Sequence, residues 1–163
     1  MFDKFTELMR EELSEFSIEL SEHQLHQFYQ YFELLVEWNK VMNLTAITEL
    51  EDVVTKHFTD SLSLVKLFGT QAFAGASLMD VGTGAGFPGI PLKIAYPELK
   101  VTLLDSLNKR VKFLQDVCAD LGLEDIASVH GRAEDFGRNL QFRERYDFCV
   151  SRARYFCCRA RPR

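Results

Sequence analysis

Residues 80–92 of this 163-residue chain have the sequence DVGTGAGFPGIPL, in which glycines alternate directly after a short apolar segment. That segment, residues 77–81 (SLMDV), predicts a strand, and a helix is predicted from Pro88 because proline suits a first helical turn. Glycines between the two allow a tight turn and let the backbone approach a ligand with no Cβ in the way. The helix would point its unpaired N–H groups and roughly half a positive charge at the same place. A ligand-binding turn is therefore predicted here.

Further strands and a helix are predicted downstream of this turn. The strands are residues 101–105, 127–130 and 146–150, and residues 109–121 form a helix that Gly122 ends. Strands that alternate with helices of this length are typical of βαβ units and a parallel sheet. Right-handed crossovers then place a ligand outside the carboxyl ends of the strands. The predicted fold class is α/β and Rossmann-like.

The residues before the sheet predict helices. Ser21 and Gln24 match a capping box. Apolar residues then recur at helical spacing: Leu25, Phe28, Phe32, Leu35 and Val36. Residues 1–16 and 51–68 predict two more helices. We interpret residues 1–68 as a helical segment packed on a domain that begins at residue 69.

Composition excludes several classes of protein. With 47% apolar and 26% charged residues, the chain resembles an ordinary globular protein. No apolar run approaches the roughly 20 residues that span a bilayer, and the acidic N-terminus has no signal-peptide pattern. The cysteines (Cys118, Cys149, Cys157 and Cys158) form no C-x-x-C pair, and the histidines lie far from them in sequence. We expect a cytoplasmic protein with reduced thiols, no membrane contact and no metal.

Charge is distributed unevenly along the chain, whose total is −5. Residues 1–60 carry 13 acidic and 4 basic side chains, whereas the last twelve residues hold five arginines and no acid. A nucleic-acid-binding protein usually presents a basic face, which the whole-chain charge does not supply. Any RNA contact must therefore come from local clusters: Lys109, Arg110 and Lys112, or Arg138, Arg143 and Arg145.

Asp105 is the predicted ribose ligand. It ends the second strand, 23 residues after Gly82, and an acid there accepts hydrogen bonds from ribose hydroxyls. NAD and S-adenosylmethionine share this contact, and a solvated carboxylate is the simpler alternative. The G-x-G-x-x-G spacing also occurs in nicotinamide and flavin enzymes. Two features favour the methyl donor: Asp80 stands where a dinucleotide fold usually has an apolar residue, and no second mononucleotide half follows.

Several segments resemble the glucose-inhibited division protein B family, the small-subunit ribosomal RNA guanine-N7 methyltransferases. The most specific are residues 80–92, 103–114 (LLDSLNKRVKFL) and 131–136 (GRAEDF). Residues 38–45 (WNKVMNLT) and 56–62 (KHFTDSL) are similar to the N-terminal segments of the family. The likeness extends from about residue 20 to Ala153.

This resemblance implies a Rossmann-like, S-adenosylmethionine-dependent enzyme that methylates guanine N7 in the 530 loop of 16S ribosomal RNA. It also implies that the positions contacting the methyl donor are Gly82, Phe87, Ala133, Glu134 and Arg152, to which the ribose argument adds Asp105. We expect the ring of Phe87 to pack against the ligand. Guanine N7 has a lone pair and no proton to lose, so no general base is expected and no catalytic residue is assigned.

Two histidines are expected to be structural, His57 and His130. One functional hypothesis remains for His57, which lies three residues before Asp60 and would steady a phosphate or the target base. Two alternatives to the methyltransferase also stay open. They are a small Rossmann oxidoreductase and a non-catalytic RNA binder in ribosome assembly.

Residues 154–163 (RYFCCRARPR) depart from the family pattern. We interpret them as a non-family tail that follows a frame-shift or truncation, with a basic RNA-binding tail as the alternative. Residues 69–153 would then form a partial methyltransferase domain that lacks its C-terminal strands, and the fourth strand would be an exposed edge. We expect a methyl-donor site that is recognisable but weakened, with impaired catalysis.

Overall fold

A parallel four-stranded sheet forms the centre of residues 1–137 and 145–151, the part of the chain that the computed structural model describes. The strands are β1 (Ser77–Val81), β2 (Lys100–Asp105), β3 (Ile126–His130) and β4 (Phe148–Ser151), and they lie in the order β3-β2-β1-β4. All three strand pairs are parallel, and Asp80 of β1 faces Leu103 of β2 and Val150 of β4. The predicted α/β fold with a parallel sheet is confirmed.

The fourth strand begins later than predicted. Asp147 was expected inside the strand, but its carboxylate accepts hydrogen bonds from the backbone N–H and the hydroxyl of Ser77, at 2.8 and 2.9 Å. The Asp147 N–H also donates to the carbonyl of Ser77 at 2.9 Å, so Asp147 bonds to β1 although β4 itself starts at Phe148.

The helices before the sheet include the predicted pair at the N-terminus. They are α1 (Phe2–Ser14) and α2 (Glu22–Met42). The capping box is present, because the backbone N–H of Ser21 donates to Gln24 Oε1 at 2.9 Å and the Gln24 N–H donates back to Ser21 Oγ at 3.3 Å. Gln24 also donates from Nε2 to the carbonyl of Ile94 at 2.8 Å, which joins α2 to the sheet-forming part of the chain.

Residues 51–68 are mostly helical, but they do not form the single continuous α-helix that the sequence predicts. The structure has α3 (Leu50–Val53), a π-helical turn (Val54–Thr59), α4 (Asp60–Leu62) and α5 (Leu64–Phe68). Serine hydroxyls bind the carbonyls of preceding turns: Ser61 Oγ donates to His57 O at 2.5 Å, and Ser63 Oγ to Asp60 O at 2.6 Å. Such bonds favour bends and breaks in a helix.

Three more helices occur after β1: two of them connect successive strands, and the third follows β3. They are α6 (Gly89–Ala95), α7 (Asn108–Asp120) and α8 (Ala133–Gly137), after the short 3₁₀ turn Thr70–Phe73 that precedes β1. Helices α6 and α7 lie between successive parallel strands, as the predicted βαβ units require. Gly122 follows α7 with φ of 62°, a left-handed conformation that suits the predicted helix end.

One hydrophobic core joins the N-terminal helices to the sheet. Phe28 and Tyr31 of α2, Phe58 of the π-helical turn and Leu78 of β1 all belong to the same buried cluster. The amide of Gln27 adds a buried polar tie, donating to the carbonyl of Leu121 at 2.8 Å. Across the described ranges, no helix has the length and apolar character needed to cross a membrane.

Candidate ligand-binding site

Residues 82–88, here called the glycine loop, connect β1 to α6 at the carboxyl edge of the sheet. Gly82 has φ of 68°, a conformation that side chains with a Cβ rarely adopt. Gly86 has no room for a Cβ, which would lie 2.5 Å from Ile90 Cδ1 and 2.7 Å from the Tyr31 hydroxyl oxygen. The glycines therefore serve both the turn and the close packing of the loop against α2 and α6.

Two aspartates form hydrogen bonds with the glycine loop and with the first residue of α6. Asp105 Oδ2, at the end of β2, accepts a hydrogen bond from the Gly84 N–H at 2.9 Å. Asp80 Oδ2, in β1, accepts from the Gly89 N–H at 2.9 Å and from the Thr83 hydroxyl at 2.6 Å. The loop is thus fixed by side chains of two neighbouring strands.

Asp80 is completely buried, and its protonation is unusual. Burial raises the pKa of its carboxyl to about 7, against the lowering effect of the bonds from Thr83 and Gly89, and the charge of Asp105 raises it further. The second oxygen, Oδ1, is buried without a hydrogen-bond partner. Desolvation disfavours the charged form, so this carboxyl changes charge near neutral pH.

An open cleft of about 440 Å³ lies at the carboxyl ends of the strands. Its walls are the backbone at Val81 and Gly82, residues 104–106 at the end of β2, residues 131–134 after β3, and Ser151 at the end of β4. This volume falls within the range of pockets that bind small ligands and cofactors. The location agrees with the predicted site outside the carboxyl ends of a parallel sheet.

Four of the six predicted site residues meet in this cleft. Gly82, Asp105, Ala133 and Glu134 all line it, although they come from three separate strand ends. The fifth, Arg152, lies outside the described residues. Asp105 is only 3% exposed and is already bonded to two backbone N–H groups, since Leu107 donates to its Oδ1 at 2.9 Å.

Phe87, the sixth predicted residue, has its ring in the protein core. The side chain is 5% exposed and belongs to the hydrophobic cluster rather than to the walls of the cleft. Its ring stacks on that of His57, with the centroids 4.4 Å apart and the planes 10° from parallel. The expectation that this ring packs against a ligand therefore gains no support from its position.

His57 is buried in the structure. It is 4% exposed, whereas Asp60 is exposed. Its Nε2 lies 2.9 Å from the Thr45 hydroxyl, and its ring covers Phe87. The burial and both contacts agree with the structural role expected for His57, and the hypothesis of a phosphate or target-base contact beside Asp60 gains no support from them. His130 is exposed, with its Nε2 3.0 Å from the Ser106 carbonyl.

Sequence reasoning missed several residues of the cleft. Ser106 follows the predicted Asp105 along the chain, and Ser151 ends the fourth strand, whereas Arg132 belongs to segment 131–135, which the sequence already places beside an adenine. The rule that ligands meet the carboxyl ends of parallel strands points to all three of these positions. Tyr31, which donates its hydroxyl proton to the Ala85 carbonyl, carries no signal that separates it from the other core aromatics of α2.

Two kinds of chemistry, a reactive cysteine and a metal site, are considered for the described residues. Burial raises the pKa of the Cys118 thiol to about 12, so this cysteine is not a thiolate nucleophile. Within residues 1–137 and 145–151, no group of three or more His, Cys, Asp or Glu side chains is placed to hold a metal ion. The cleft instead offers backbone groups, one fixed carboxylate and a helix start.

The fold is that of a Rossmann-like α/β methyltransferase, as defined by the order of the strands, the glycine loop and the acidic residue Asp105 at the end of β2. The structure of a protein-L-isoaspartate O-methyltransferase is similar, with a TM-score of 0.56 over 93% of this chain and 47% of that chain at 14% identity. The family model for GidB, rRNA small subunit methyltransferase G, matches residues 24–156. The chain belongs to this family, which confirms the resemblance seen in the sequence.

Curated relatives named ribosomal RNA small subunit methyltransferase G are closely similar. The protein of Lachnoclostridium phytofermentans is 58% identical over 141 residues, which are 86% of this chain and 57% of that protein. That of Staphylococcus epidermidis is 55% identical over 147 residues, 90% of this chain and 60% of that protein. The chain thus spans less than two thirds of the length of these relatives. Most of the predicted tail, residues 154–163, follows the family match, and all of it lies outside the described residues.

Proposed function

We propose that the cleft binds S-adenosylmethionine and that the chain is an rRNA methyltransferase, or a part of one, acting on guanine N7 in the 530 loop of 16S ribosomal RNA. Membership of the rRNA small subunit methyltransferase G family supports the reaction class and the RNA substrate. The specific guanine, the N7 position and the donor rest on the resemblance. The proposed partner is the small ribosomal subunit in the cytoplasm.

The shape and chemistry of the cleft fit the proposed donor. Each carboxylate oxygen of Asp105 accepts one backbone N–H, and Arg110 Nη1 lies 3.8 Å from Oδ2 as an ion-pair partner. A second lone pair on Oδ1 is left for a ribose hydroxyl. Gly82 presents its backbone without a Cβ, and a Cβ built there meets no atom within 4 Å, so that side of the cleft is open to a ligand. Residues 131–134 would flank the adenine, with Ala133 and Glu134 at the start of α8.

Two further donor contacts are proposed from the resemblance. Arg152 directly follows β4, whose last residue Ser151 lines the cleft. The buried ring of Phe87 would anchor the glycine loop, and the backbone of that loop, not the ring, would contact the donor. We also propose that residues 1–68 support a donor domain starting at residue 69.

The proposed reaction requires positioning more than acid–base chemistry. When bound, S-adenosylmethionine supplies an electrophilic methyl group on a sulfonium. Guanine N7 offers a lone pair and loses no proton, so the protein has to align the base and exclude water. Holding two reactants in line contributes several kcal/mol to lowering a barrier. The rigid glycine loop, bonded to Asp80 and Asp105, is suited to that task.

Basic side chains near the cleft are the proposed RNA contacts. Lys109, Arg110 and Lys112 lie on the first turns of α7, and Arg132 lines the cleft itself. Arg110 Nη1 also lies 3.8 Å from Asp105 Oδ2, so this arginine is shared with the proposed donor site. Each neutralised phosphate would release counterions, so RNA affinity should fall as salt rises. Arg138 and Arg143 of the second predicted cluster lie outside the described residues.

The position of Asp105 in the cleft is the observation that carries the donor proposal. Calorimetric titration of the 163-residue chain with S-adenosylmethionine should give saturable binding that D105A weakens at least tenfold. D120A, which changes an exposed aspartate at the end of α7, is the matched control. Saturable binding of NADH in place of S-adenosylmethionine would favour the oxidoreductase alternative.

Methyl transfer is tested with RNA that carries the 530 loop. Radiolabelled methyl groups should reach the guanine-containing RNA and not a copy in which 7-deazaguanine replaces the target, because that base has no N7. RNA binding without any transfer would support the non-catalytic RNA binder instead.

A further inference from the structure

The N-terminal helices contact the glycine loop at two buried points. Tyr31 of α2 donates its hydroxyl proton to the carbonyl of Ala85. His57 of the π-helical turn stacks on Phe87, with 4.4 Å between ring centroids. Both contacts reach residues of the loop that turns between β1 and α6, so the conformation of this loop depends on residues far away in sequence.

The backbone around His57 has an unusual form. The residue lies in the π-helical turn Val54–Thr59, and such turns are rare and frequently occur at functional sites. Its carbonyl accepts the Ser61 hydroxyl at 2.5 Å, which stabilises the turn. The inserted residue of a π turn changes the direction of the side chains, and here the imidazole faces the glycine loop.

The opposite side of His57 contacts a second loop, residues 43–47, here called the asparagine loop. His57 Nε2 lies 2.9 Å from Thr45 Oγ1, and the same hydroxyl accepts the Ile47 N–H at 3.0 Å. Asn39 Oδ1 accepts the Thr45 N–H at 2.9 Å, which ties the loop back to α2. This loop lines a shallow surface groove of about 460 Å³.

The geometry points to His57 as a positioning residue that links the asparagine loop to the glycine loop through Thr45 on one side and Phe87 on the other. The effect of this link between the loops on methyl-donor affinity rests on the function proposed above. Since the imidazole is buried and contacts both loops, a change in one loop alters the position of the other. His57 therefore acts through Phe87 and does not itself touch the donor.

The decisive variant is T45V, which keeps the side-chain shape but removes the hydroxyl that contacts His57 and accepts the Ile47 N–H. T45S keeps the hydroxyl and is the matched control. A second variant, H57F, keeps a ring that can stack on Phe87 but has no ring nitrogen. Amide hydrogen exchange of the ligand-free 163-residue chain is followed in peptides covering residues 43–47, 82–88 and 108–120.

We expect T45V and H57F to speed exchange in residues 82–88 about fivefold, the effect of losing the hydrogen bond between His57 and Thr45, while T45S stays at the wild-type rate. The Ile47 N–H bond that T45V also loses lies within residues 43–47 and should affect only that peptide. Residues 108–120 of α7 should be unaffected. Unchanged exchange in residues 82–88 would overturn the inference, because Thr45 would then stabilise only its own loop. Equal acceleration in all three peptides would also overturn it, because the contact would then be merely structural.

Titration with S-adenosylmethionine separates this inference from the proposed function. T45V should bind the donor several-fold more weakly than T45S. If the wild-type chain binds no donor, the proposed function fails, and the exchange data still decide whether His57 couples the loops. Normal donor binding by T45V together with faster exchange in residues 82–88 would reject the link to donor affinity.

Discussion

The carboxylate of Asp105 closes the glycine loop, because its Oδ2 accepts the hydrogen bond of the Gly84 N–H at 2.9 Å. The two residues belong to neighbouring strand ends, β2 and β1, so one side chain fixes the turn beside it and lines the cleft. A ribose ligand and the loop backbone would share this carboxylate. Loss of Asp105 should thus affect stability as well as binding.

The first prediction concerns D105A. This change leaves the N–H groups of Gly84 and Leu107 without their acceptor, and hydrogen bonds to charged groups contribute about 1.5–3 kcal/mol. We expect the free energy of unfolding to fall by about 3 kcal/mol or more in urea titrations. The exposed D120A control should change it by less than about 0.5 kcal/mol. Equal stability of D105A and the wild type would contradict the proposed role.

The second prediction concerns the pH dependence of stability through Asp80. The folded-state pKa of about 7 lies above the ordinary value of 3.8, so the native state holds this proton more tightly than the unfolded chain. The stabilising contribution is therefore complete below about pH 4 and is lost as pH rises towards 7, by a few kcal/mol in order of magnitude.

D80N is the matched variant for this effect. Urea unfolding of both chains between pH 5 and pH 8 should show the wild type losing stability relative to D80N as pH rises. Parallel curves over that interval would show that Asp80 does not titrate as described.

The third prediction concerns G86A. A Cβ at this position would lie 2.5 Å from Ile90 Cδ1 and 2.7 Å from the Tyr31 hydroxyl oxygen, at a φ of 103°. We expect a loss of roughly 2–4 kcal/mol in the free energy of unfolding, since overpacking adds to backbone strain.

G75A provides the control for the backbone effect alone. Gly75 also has a positive φ, of 65°, but a Cβ there meets no atom within 4 Å. G75A should lower the free energy of unfolding by only about 1 kcal/mol, which is the cost of placing a residue with a Cβ in the left-handed conformation. Similar losses in G75A and G86A would remove the argument from close packing.

The fourth prediction concerns the reactivity of Cys118. Burial raises the pKa of its thiol to about 12, whereas Cys149 is only partly buried. Iodoacetamide at pH 8 should modify Cys149 well before Cys118 in the folded chain, as measured by peptide mass spectrometry. In urea the two should react at similar rates. Rapid modification of Cys118 in the native chain would show that its environment is more open.

Much of the fold followed from local patterns. The strand of residues 77–81, the capping box at Ser21 and the glycine after α7 are each encoded within a few neighbouring residues. Local signals failed at residues 51–68, where serine hydroxyls and a π-helical turn replace a continuous helix. They also failed at the start of β4, where Asp147 was predicted to be in the strand. Its carboxylate instead accepts a hydrogen bond from Ser77, seventy residues earlier.

The amino-acid sequence by itself determined the family, the α/β class, and the meeting of Gly82, Asp105, Ala133 and Glu134 at one edge of the sheet. Parallel strands bring their carboxyl ends together, so the order of elements is sufficient for that conclusion. Only the tertiary structure decided the direction of the Phe87 ring. Its neighbour His57 lies thirty residues away along the chain, and the burial of both rings depends on how the N-terminal helices pack over the sheet.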